Sequence, residues 1–352
     1  MMTGTSLDGL DAAVIEIHGH ALNITAQFLC GTSIELGPCA KGLHRLANGT
    51  PLTAREIAQL RCELARRHAA AASDLMTITD NISFLAVHGQ TVLHAPPLTW
   101  QLIDATTLAH MVRKPVVFDF RSADVAAGGQ GAPITPIADW IMFQCDTESR
   151  AIVNLGGFCN VTLLPPSASP NEVSGFDVCA CNQLLDACAQ AALNQPFDHD
   201  GAAASQGTVH TEALTALTAI LQSQRTSQRS LGTGDEANTW ARHWNALLPA
   251  NDLCRTCCEA VGACISQTLR HVQRVAFAGG GAKNRALLHA IQYHIKPTPT
   301  VLTNSLGVPG EYREAAAMAV LGALTHDRIA TTFPNVTGRN ENILLGGTWV
   351  YP

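Results

Sequence analysis

The sequence is poor in charged and aromatic side chains and has no long apolar run. Charged residues make up 14% of its 352 residues, aromatic residues make up 5%, and the net charge is −6. Nucleic-acid-binding domains usually carry clustered positive charge, so this balance argues against a nucleic-acid partner. No apolar run reaches the roughly twenty residues of a membrane-spanning helix, and the N-terminus does not resemble a signal peptide. We therefore predict a cytoplasmic protein.

The twelve cysteines lack the spacing of a disulfide scaffold or a zinc site. Disulfide-rich domains are short, whereas this chain is 47% hydrophobic and long enough to bury a large core. Cys254 and Cys257 form a Cys-x-x-Cys pair beside Cys258, but a second pair that would complete a zinc site is missing. Most cysteines are therefore expected to be small buried side chains.

The stretch Gly4-Thr5-Ser6-Leu7-Asp8-Gly9-Leu10-Asp11 is typical of a tight turn that leads into a strand. Glycine allows a close approach of the backbone, and the hydroxyl and backbone N–H groups can hold a phosphate chain. The carboxylates can bind magnesium through water. An ordinary β-turn rich in glycine, serine and aspartate explains the same residues, so both interpretations stay open.

The rest of the first half alternates between predicted strands and helices. Thr53 and Glu56 form a capping box for a helix that runs towards Met76. The glycine-rich residues 126–133 predict a flexible connection. We place the domain boundary there, which gives an N-terminal lobe of residues 1–133 and a C-terminal lobe of residues 134–352.

The second half opens in the same way as the first. Residues 151–154 predict a strand, followed by a glycine turn and a returning strand at residues 161–164. Two such halves suggest a duplicated α/β fold with a cleft between them. Asn182 is expected to cap the next helix, and the polar residues 194–210 and 222–240 are expected to form loops around the cleft.

A triple glycine, Gly279-Gly280-Gly281, joins a predicted strand at residues 274–278 to a helix. Such a junction lets a phosphate or a flat ring lie against the backbone at the helix N-terminus. A tight turn that needs positive φ angles is the alternative. We favour the ligand site, because three successive glycines cost backbone entropy.

Several motifs together resemble the anhydro-N-acetylmuramic acid kinase family, and they occur in order over nearly the whole chain. They occupy residues 3–11, 88–94, 119–121, 126–133, 154–157, 175–177, 279–284 and 334–338. The resemblance implies the duplicated, two-lobed fold of the actin, hexokinase and Hsp70 type, which is ribonuclease H-like. It also implies an ATP- and Mg²⁺-dependent enzyme of peptidoglycan recycling. Such enzymes open 1,6-anhydro-N-acetylmuramate with water and phosphorylate the sugar at O6.

The resemblance implies a role for each motif. Asp177 stands at the position of the base that takes a proton from the attacking water, although it is also placed to be a turn or N-cap carboxylate. ATP is expected at Gly4, Thr5, Ser6, Leu7, Asp8, Gly9, Leu10, Asp11, Asn154, Gly156, Gly157, Gly279, Gly280, Gly281 and Asn284. Magnesium is expected at Asp8 or Asp11, held through water. The sugar is expected at His88, Gln90, Thr91, Arg121, Asp124 and Glu314.

The predicted sugar contacts each have a simpler alternative. The fork of Arg121 can pair with a lactyl carboxylate, and Asp124 can accept from a hydroxyl or an amide, but the two can also form a surface salt bridge. His88 is equally suited to be a hydrogen-bonded core histidine. Glu314 can be an acid in a first helical turn, where it favours the helix dipole.

Three features depart from the family's pattern. The chain starts with Met1-Met2, so the strand that leads into the Gly4 turn is truncated or missing, or the start is placed too late. Residues 178–181 read Val-Cys-Ala-Cys where many relatives carry Thr-Gly-Pro-Gly, so we expect reduced or altered sugar handling. Arg229 replaces a usual lysine, which keeps the charge but not the geometry.

Two other functions stay open at this point: a two-lobed sugar kinase without ring opening, and a sugar- or nucleotide-binding protein without turnover. Each has a small-molecule partner, and we expect neither nucleic acid nor membrane. The last ~15 residues are expected to pack back on the N-terminal lobe. The oligomeric state stays open, with a homodimer as one alternative.

Overall fold

The chain folds into two compact units. The computed structural model describes residues 1–4, 7, 9–79, 81–226, 235–340 and 346–352. The first unit contains Met1–Phe143 and Glu311–Pro352, and the second contains Gln144–Gly310. The observed division differs from the predicted one, since it follows Phe143 and the chain returns to the first unit at Glu311. Residues 126–133 lie inside the first unit and do not connect two lobes.

The strands lie in both units. In chain order they are β1 (Met2–Thr3), β2 (Leu10–His18), β3 (Thr25–Ile34), β4 (Leu85–Val87), β5 (Gln90–Ala95), β6 (Leu98–Leu102), β7 (Val116–Phe118), β8 (Arg150–Leu155), β9 (Phe158–Leu164), β10 (Ser174–Ala180), β11 (Arg274–Ala278), β12 (Thr300–Leu302) and β13 (Thr348–Val350).

The helices alternate with these strands. In chain order they are α1 (Ala40–Ala47), α2 (Ala54–Met76), α3 (Ala105–Val112), α4 (Ser122–Ala126), α5 (Pro136–Phe143), α6 (Asn182–Leu193), α7 (Thr211–Thr226), α8 (Asp235–Asn245), α9 (Ala250–Ser266), α10 (Arg285–His294), α11 (Arg313–His326) and α12 (Pro334–Thr337). Over the described residues, the helices are too short or too polar to cross a membrane.

The main sheet of the first unit is joined through β1. Strands β1, β2 and β3 are antiparallel neighbours, while β4, β7 and β13 form the other part of the sheet. Met2 forms a parallel bridge with His88, just after β4, and the backbone N–H of His88 donates to Met1 O at 3.0 Å. The resulting order is β3-β2-β1-β4-β7, with β13 antiparallel to β7 at the edge. The strand that leads into the Gly4 turn is therefore present in the sheet, but it is short.

The sheet of the second unit has the same order and the same strand directions. Its order is β10-β9-β8-β11-β12. Strand β8 is antiparallel to β9 and parallel to β11, as β1 is antiparallel to β2 and parallel to β4. Both units are mixed α/β, and this repeat confirms the predicted duplicated α/β architecture.

Local sequence signals explain several element boundaries. The Thr53 hydroxyl accepts from the N–H of Glu56, and the Glu56 carboxylate accepts from the N–H of Thr53, so the predicted capping box starts α2. Asn182 was expected to cap α6, but the N-cap residue is Cys181 and Asn182 is the first helical residue. The loop prediction for residues 222–240 was wrong at both ends, since α7 reaches Thr226 and α8 begins at Asp235.

The unusual segment at residues 178–181 belongs to the core of the second unit. Val178, Cys179, Ala180 and Cys181 are all fully buried. Cys179 pairs with Cys159 across β10 and β9, next to an irregularity that follows Asp177. Burial raises the pKa of the Cys159 thiol well above its usual range, and a hydrogen bond with Cys264, together with burial, does the same for the Cys179 thiol. Both thiols therefore remain neutral. These cysteines are packing residues, as their apolar neighbours predict.

Candidate functional site

The N-terminal glycine turn is described only in part. The N–H of Leu7 donates to Gly4 O at 3.1 Å, and Leu7 has a φ of +57°. The side chains of Leu7 and Leu10 are buried in the core, so they are not available to a phosphate. Asp11 accepts a hydrogen bond of 2.5 Å from Ser33 Oγ. The predicted phosphate and magnesium residues Thr5, Ser6 and Asp8 lie outside the described residues, as does Arg229.

His88, which is buried, and Arg121, which is half-buried, form a polar pair in the first unit. Nε of Arg121 donates to Nε2 of His88 at 3.0 Å. Because arginine only donates, Nε2 of His88 carries no proton. Burial, and then the charge of Arg121, hold the pKa of His88 well below its usual range, so the ring stays neutral. His88 thus orients the guanidinium of Arg121.

Asp124 is deeply buried and accepts several hydrogen bonds. It is 4% exposed, so a surface salt bridge does not describe it. Its Oδ2 accepts from the N–H of Gly131 at 2.7 Å, and its Oδ1 accepts from the hydroxyls of Thr332 and Thr337 at 2.6 and 2.7 Å. Both oxygens of Asp124 already accept hydrogen bonds from the protein, so little capacity remains for a sugar hydroxyl or amide. The predicted sugar contact stays a prediction.

Gln90 and Thr91 lie in β5, which forms a hairpin with β6. Gln90 is 1% exposed, and among the described residues its Oε1 has no hydrogen-bond partner. The same holds for Oγ1 of the buried Thr3. Orphaned buried polar atoms cost free energy, so they are positions at which a polar ligand would be stabilising.

Glu314 lies in the first turn of α11, beside a buried ion pair. Burial raises its pKa above the usual value, Arg313 and Arg121 oppose this, and Asp11 and Asp139 add to it. Arg313 itself is fully buried, and its Nε donates to Oδ1 of Asp139 at 2.8 Å. The pair anchors the start of α11 to α5 and so places Glu314.

The glycine turns of the second unit lie against one another. Asn154 is the last residue but one of β8, and a Cβ at Gly279 would lie 2.7 Å from its Oδ1. A Cβ at Gly281 would lie 2.6 Å from Oδ1 of Asn182, whose Nδ2 donates to Leu155 O at 3.0 Å. The turn after β8, the start of α6 and the turn after β11 therefore converge.

Gly280 is the open position of the triple-glycine turn. A Cβ there would meet its nearest neighbour, Nδ2 of Asn182, at 3.8 Å. Gly279 has a φ of +82°, as the turn interpretation predicts. Nearby, the N–H of Gly279 donates to Gly310 O at 3.3 Å. The structure thus shows the tight turn, and the ligand site at Gly280 stays a prediction.

Asp177 stands in a row of polar residues across the sheet. It pairs with Asn160 on β9, Asn160 pairs with Asn154 on β8, and Asn154 pairs with Ala278 on β11. Residues paired directly across strands share a face, so Asp177, Asn160 and Asn154 line one face within about 10 Å. Asp177 is half-buried within β10 and does not cap α6, whose N-cap residue is Cys181.

Asn284 is the N-cap residue of α10, a structural role that the sequence analysis did not assign to it. Its Oδ1 accepts from the N–H of Leu287 at 3.0 Å, which caps α10. A Cβ at Gly201 would lie 2.2 Å from the same oxygen. Asn284 therefore shapes the turn that follows the triple glycine, and its contact with adenosine stays a prediction.

Sequence reasoning missed several residues near these motifs. Asn160 falls between the predicted glycine turn and the predicted returning strand, and only the strand register places it opposite Asp177 and Asn154. Thr332, Thr337 and Arg339 surround Asp124. Thr303 is fully buried beside Gly310, and among the described residues its Oγ1 lacks a hydrogen-bond partner. Thr332 and Thr337 bond to Asp124, which lies more than 200 positions away, so no local pattern indicates this contact, although Thr337 itself belongs to the motif at residues 334–338.

Comparison with known proteins assigns the family. The model of the anhydro-N-acetylmuramic acid kinase family matches residues 1–351. A protein of that name from Gloeobacter violaceus is 33% identical to this chain, and the alignment covers 98% of this chain and 96% of the relative. A protein of that name from Bordetella avium is 35% identical to this chain, and the alignment covers 100% of this chain and 95% of the relative.

A solved structure shows a weaker likeness. The activator of the 2-hydroxyisocaproyl-CoA dehydratase from Clostridium difficile with bound ADPNP is 13% identical, covers 90% of this chain and 96% of its own, and has a TM-score of 0.46. The family match instead extends over nearly every residue described above. This chain belongs to the anhydro-N-acetylmuramic acid kinase family.

Proposed function

We propose that this protein converts 1,6-anhydro-N-acetylmuramate, water and ATP to N-acetylmuramate 6-phosphate and ADP. The reaction belongs to peptidoglycan recycling in the cytoplasm. The observation that carries the proposal is the position of Asp177, in a row with Asn160 and Asn154 beside the glycine turns. The family match over residues 1–351 supports the same reaction.

Asp177 is the proposed base. As a water oxygen attacks C1, the carboxylate takes a proton from that water. The C1–O6 bond breaks, and O6 receives the γ-phosphoryl group of ATP. The neighbouring amides of Asn160 and Asn154 provide neutral hydrogen-bonding groups that can orient the water and the phosphoryl group.

The glycine turns of the second unit are the proposed nucleotide site. Gly280 has room where a side chain would stand, and the backbone N–H groups of such a turn suit a polyphosphate. Phosphoryl transfer mainly needs positioning and charge neutralisation. Asp11 is the described candidate for holding magnesium through water. Bound Mg²⁺ would neutralise charge on the phosphates.

The proposed sugar site lies in the first unit. The guanidinium of Arg121 suits the lactyl carboxylate, and His88 keeps that guanidinium oriented. Gln90 and Thr91 offer polar groups from β5, and Glu314 offers a carboxyl group whose pKa is raised by burial. A sugar rich in hydroxyls would supply the missing partner of Gln90 Oε1.

The test is a product assay with purified protein, ATP, Mg²⁺ and 1,6-anhydro-N-acetylmuramate. The expected product has gained one water and one phosphoryl group by mass. A gain of the phosphoryl group alone would indicate a kinase without ring opening. Binding of sugar or nucleotide without any product would indicate a protein that does not turn over.

The Asp177→Asn variant tests the base. We expect it to abolish turnover while ATP binding stays unchanged, because the amide cannot accept the proton. Asp200→Asn is the matched control, since Asp200 is a partly exposed aspartate in the same unit at a φ of +54° that asparagine tolerates. Near-normal turnover of Asp177→Asn would refute the assignment.

A further inference from the structure

The segment 331–340 contains a motif that the proposed reaction does not use. It includes Pro334-Asn335-Val336-Thr337-Gly338, one of the stretches that resemble the family. Yet the segment is packed inside the first unit: Thr332 and Thr337 are 5% and 1% exposed, and Arg339 is 9% exposed. A surface tail would leave these side chains in water, so the segment has a structural partner.

That partner is Asp124. The hydroxyls of Thr332 and Thr337 both donate to its Oδ1, at 2.6 and 2.7 Å. Nε of Arg339 lies 3.7 Å from the same oxygen and donates to Thr332 Oγ1 at 2.9 Å. Three charge-assisted bonds, one of them from the N–H of Gly131, thus converge on a buried carboxylate.

The same segment holds the glycine loop at residues 127–131. The N–H of Gln130 donates to Thr337 O at 2.8 Å, and the N–H of Asn340 donates to Ala127 O at 3.2 Å. A Cβ at Gly129 would lie 2.2 Å from Oδ2 of Asp124, so the loop packs directly on the carboxylate. The loop predicted to be flexible is therefore pinned from both sides.

The loop in turn holds Arg121. Nη1 of Arg121 donates to Gly131 O at 2.6 Å, while its Nε donates to His88. Two bonds to groups in different directions define the plane of the guanidinium. The orientation of Arg121 thus depends on Gly131, and that of Gly131 depends on Asp124 and its threonines.

We propose that Asp124, Thr332, Thr337 and Arg339 are positioning residues that orient Arg121 towards the carboxylate of the sugar's acidic substituent. Asp124 does not contact the sugar, because its oxygens are already committed to protein donors. This proposal rests on the proposed function, in which Arg121 binds a carboxylate-bearing sugar. It accounts for the motif at residues 334–338, which holds the threonine that bonds to Asp124.

The test compares two sugars in binding measurements. One is 1,6-anhydro-N-acetylmuramate, and the other is 1,6-anhydro-N-acetylglucosamine, which lacks the lactyl carboxylate. In Thr337→Val, which removes the hydroxyl but keeps the shape, affinity for the first sugar should fall about tenfold and affinity for the second should not change. Thr337→Ser should restore the wild-type ratio.

Thr325→Val is the matched control. Thr325 is also buried in the first unit, where its hydroxyl donates to Gly346 O at 3.0 Å, away from Asp124. This variant loses a buried hydroxyl in the same way, so it should keep the wild-type ratio of sugar affinities. An equal loss for both sugars in Thr337→Val, or no loss for either, would overturn the proposal.

Hydrogen exchange separates this proposal from the proposed function. The amides of residues 129–131 should exchange at least tenfold faster in Thr337→Val than in the wild type or in Thr325→Val. If the wild type binds neither sugar but the exchange rates change as expected, the proposed function fails and the hydrogen-bonded network remains. Unchanged exchange would refute the network itself.

Discussion

The two units share a strand order but differ in the kinds of side chain that they bury. The first unit buries Asp124, Asp139, Arg313 and Arg339, together with His68 and His88. In the second unit, none of the buried residues that the structure describes is charged, and eight cysteines are buried instead. Strand order therefore does not decide the chemistry of the core. The buried charges of the first unit hold segments near the proposed sugar contacts, while the glycine turns of the second unit pack against the neutral side chains of Asn154 and Asn182.

The first strand of each sheet is the second difference. Strand β1 has two residues, whereas β8 has six. Strand β2 pairs with β1 only at Leu10 and Asp11. A cavity of about 630 Å³ lies beyond Met1, lined by residues 13–20 of β2 and its turn and by residues 81–86 before and within β4. None of the predicted ATP or sugar residues lines this cavity. We therefore relate the cavity to the short strand β1 and not to the proposed functional site.

The largest expected effect is the loss of a buried charge partner in the first unit. Asp139→Ala leaves Arg313 fully buried and uncompensated, so it should lower the free energy of unfolding by about 3–5 kcal/mol. Denaturant unfolding measures this. Arg66→Ala, which breaks the exposed pair with Glu63, should cost less than about 1 kcal/mol. Similar values for the two variants would contradict the difference between buried and exposed pairs.

Acid should weaken the first unit through its buried histidines. Burial lowers the pKa of His68 from 6.5 to about 4, and burial together with Arg121 lowers that of His94 to about 4. Below pH 6.5 these histidines become protonated in the unfolded chain but stay neutral in the folded unit. The free energy of unfolding therefore falls as the pH drops from 6.5 to 4. For His68 the loss is about 3 kcal/mol over that range.

Unfolding followed by hydrogen exchange at pH 7 and pH 5 resolves this acid effect by unit. His68→Gln should reduce the pH dependence of the first unit and leave the second unchanged. A pH dependence identical to that of the wild type would refute the contribution of His68.

The glycine turn of the second unit offers a matched pair of substitutions. A Cβ at Gly281 would lie 2.9 Å from Leu155 O, whereas Gly280 has space. Gly281→Ala should therefore lower the free energy of unfolding by about 1–3 kcal/mol, and Gly280→Ala should change it little but weaken ATP binding. Thermal unfolding and nucleotide titration measure the two effects. Unchanged ATP affinity in Gly280→Ala would remove Gly280 from the nucleotide site.

The smallest expected effect comes from lengthening β1. Four alternating apolar and small residues joined to Met1 should continue the strand parallel to β4. The amino group of Met1 already donates to Ala86 O at 2.8 Å, and burial lowers its pKa to about 5, a cost that a peptide N–H avoids. Since each cross-strand pair contributes roughly 0.2–1 kcal/mol, we expect a gain of about 1–2 kcal/mol.

An extension of alternating glycine and proline is the control for the lengthened strand. It should give no gain, because proline cannot donate to the ladder. Protection of amides 13–17 from exchange should increase only with the apolar extension. Equal behaviour of the two extensions would show that the cavity does not accept a strand.

The amino-acid sequence by itself determined the local elements and the family. The capping box at Thr53 and Glu56 and the turn after β11 depend on residues a few positions apart, so short patterns predict them. The role of Asp177 as the base comes from the resemblance to the family and stays a prediction. The loop prediction for residues 222–240 failed because polar composition does not distinguish an exposed helix from a loop.

Only the tertiary structure decided which groups the buried charges meet. Asp124 finds Thr332 and Thr337 more than 200 positions away, and Arg313 finds Asp139 at a separation of 174. A buried charge is stable only when the fold brings hydrogen-bonding partners to it. Those partners are distant in sequence here, so no local pattern predicts them. For this reason Asp124 could be predicted as a sugar contact from the resemblance to the family, while its hydrogen bonds to the protein emerged only from the tertiary structure.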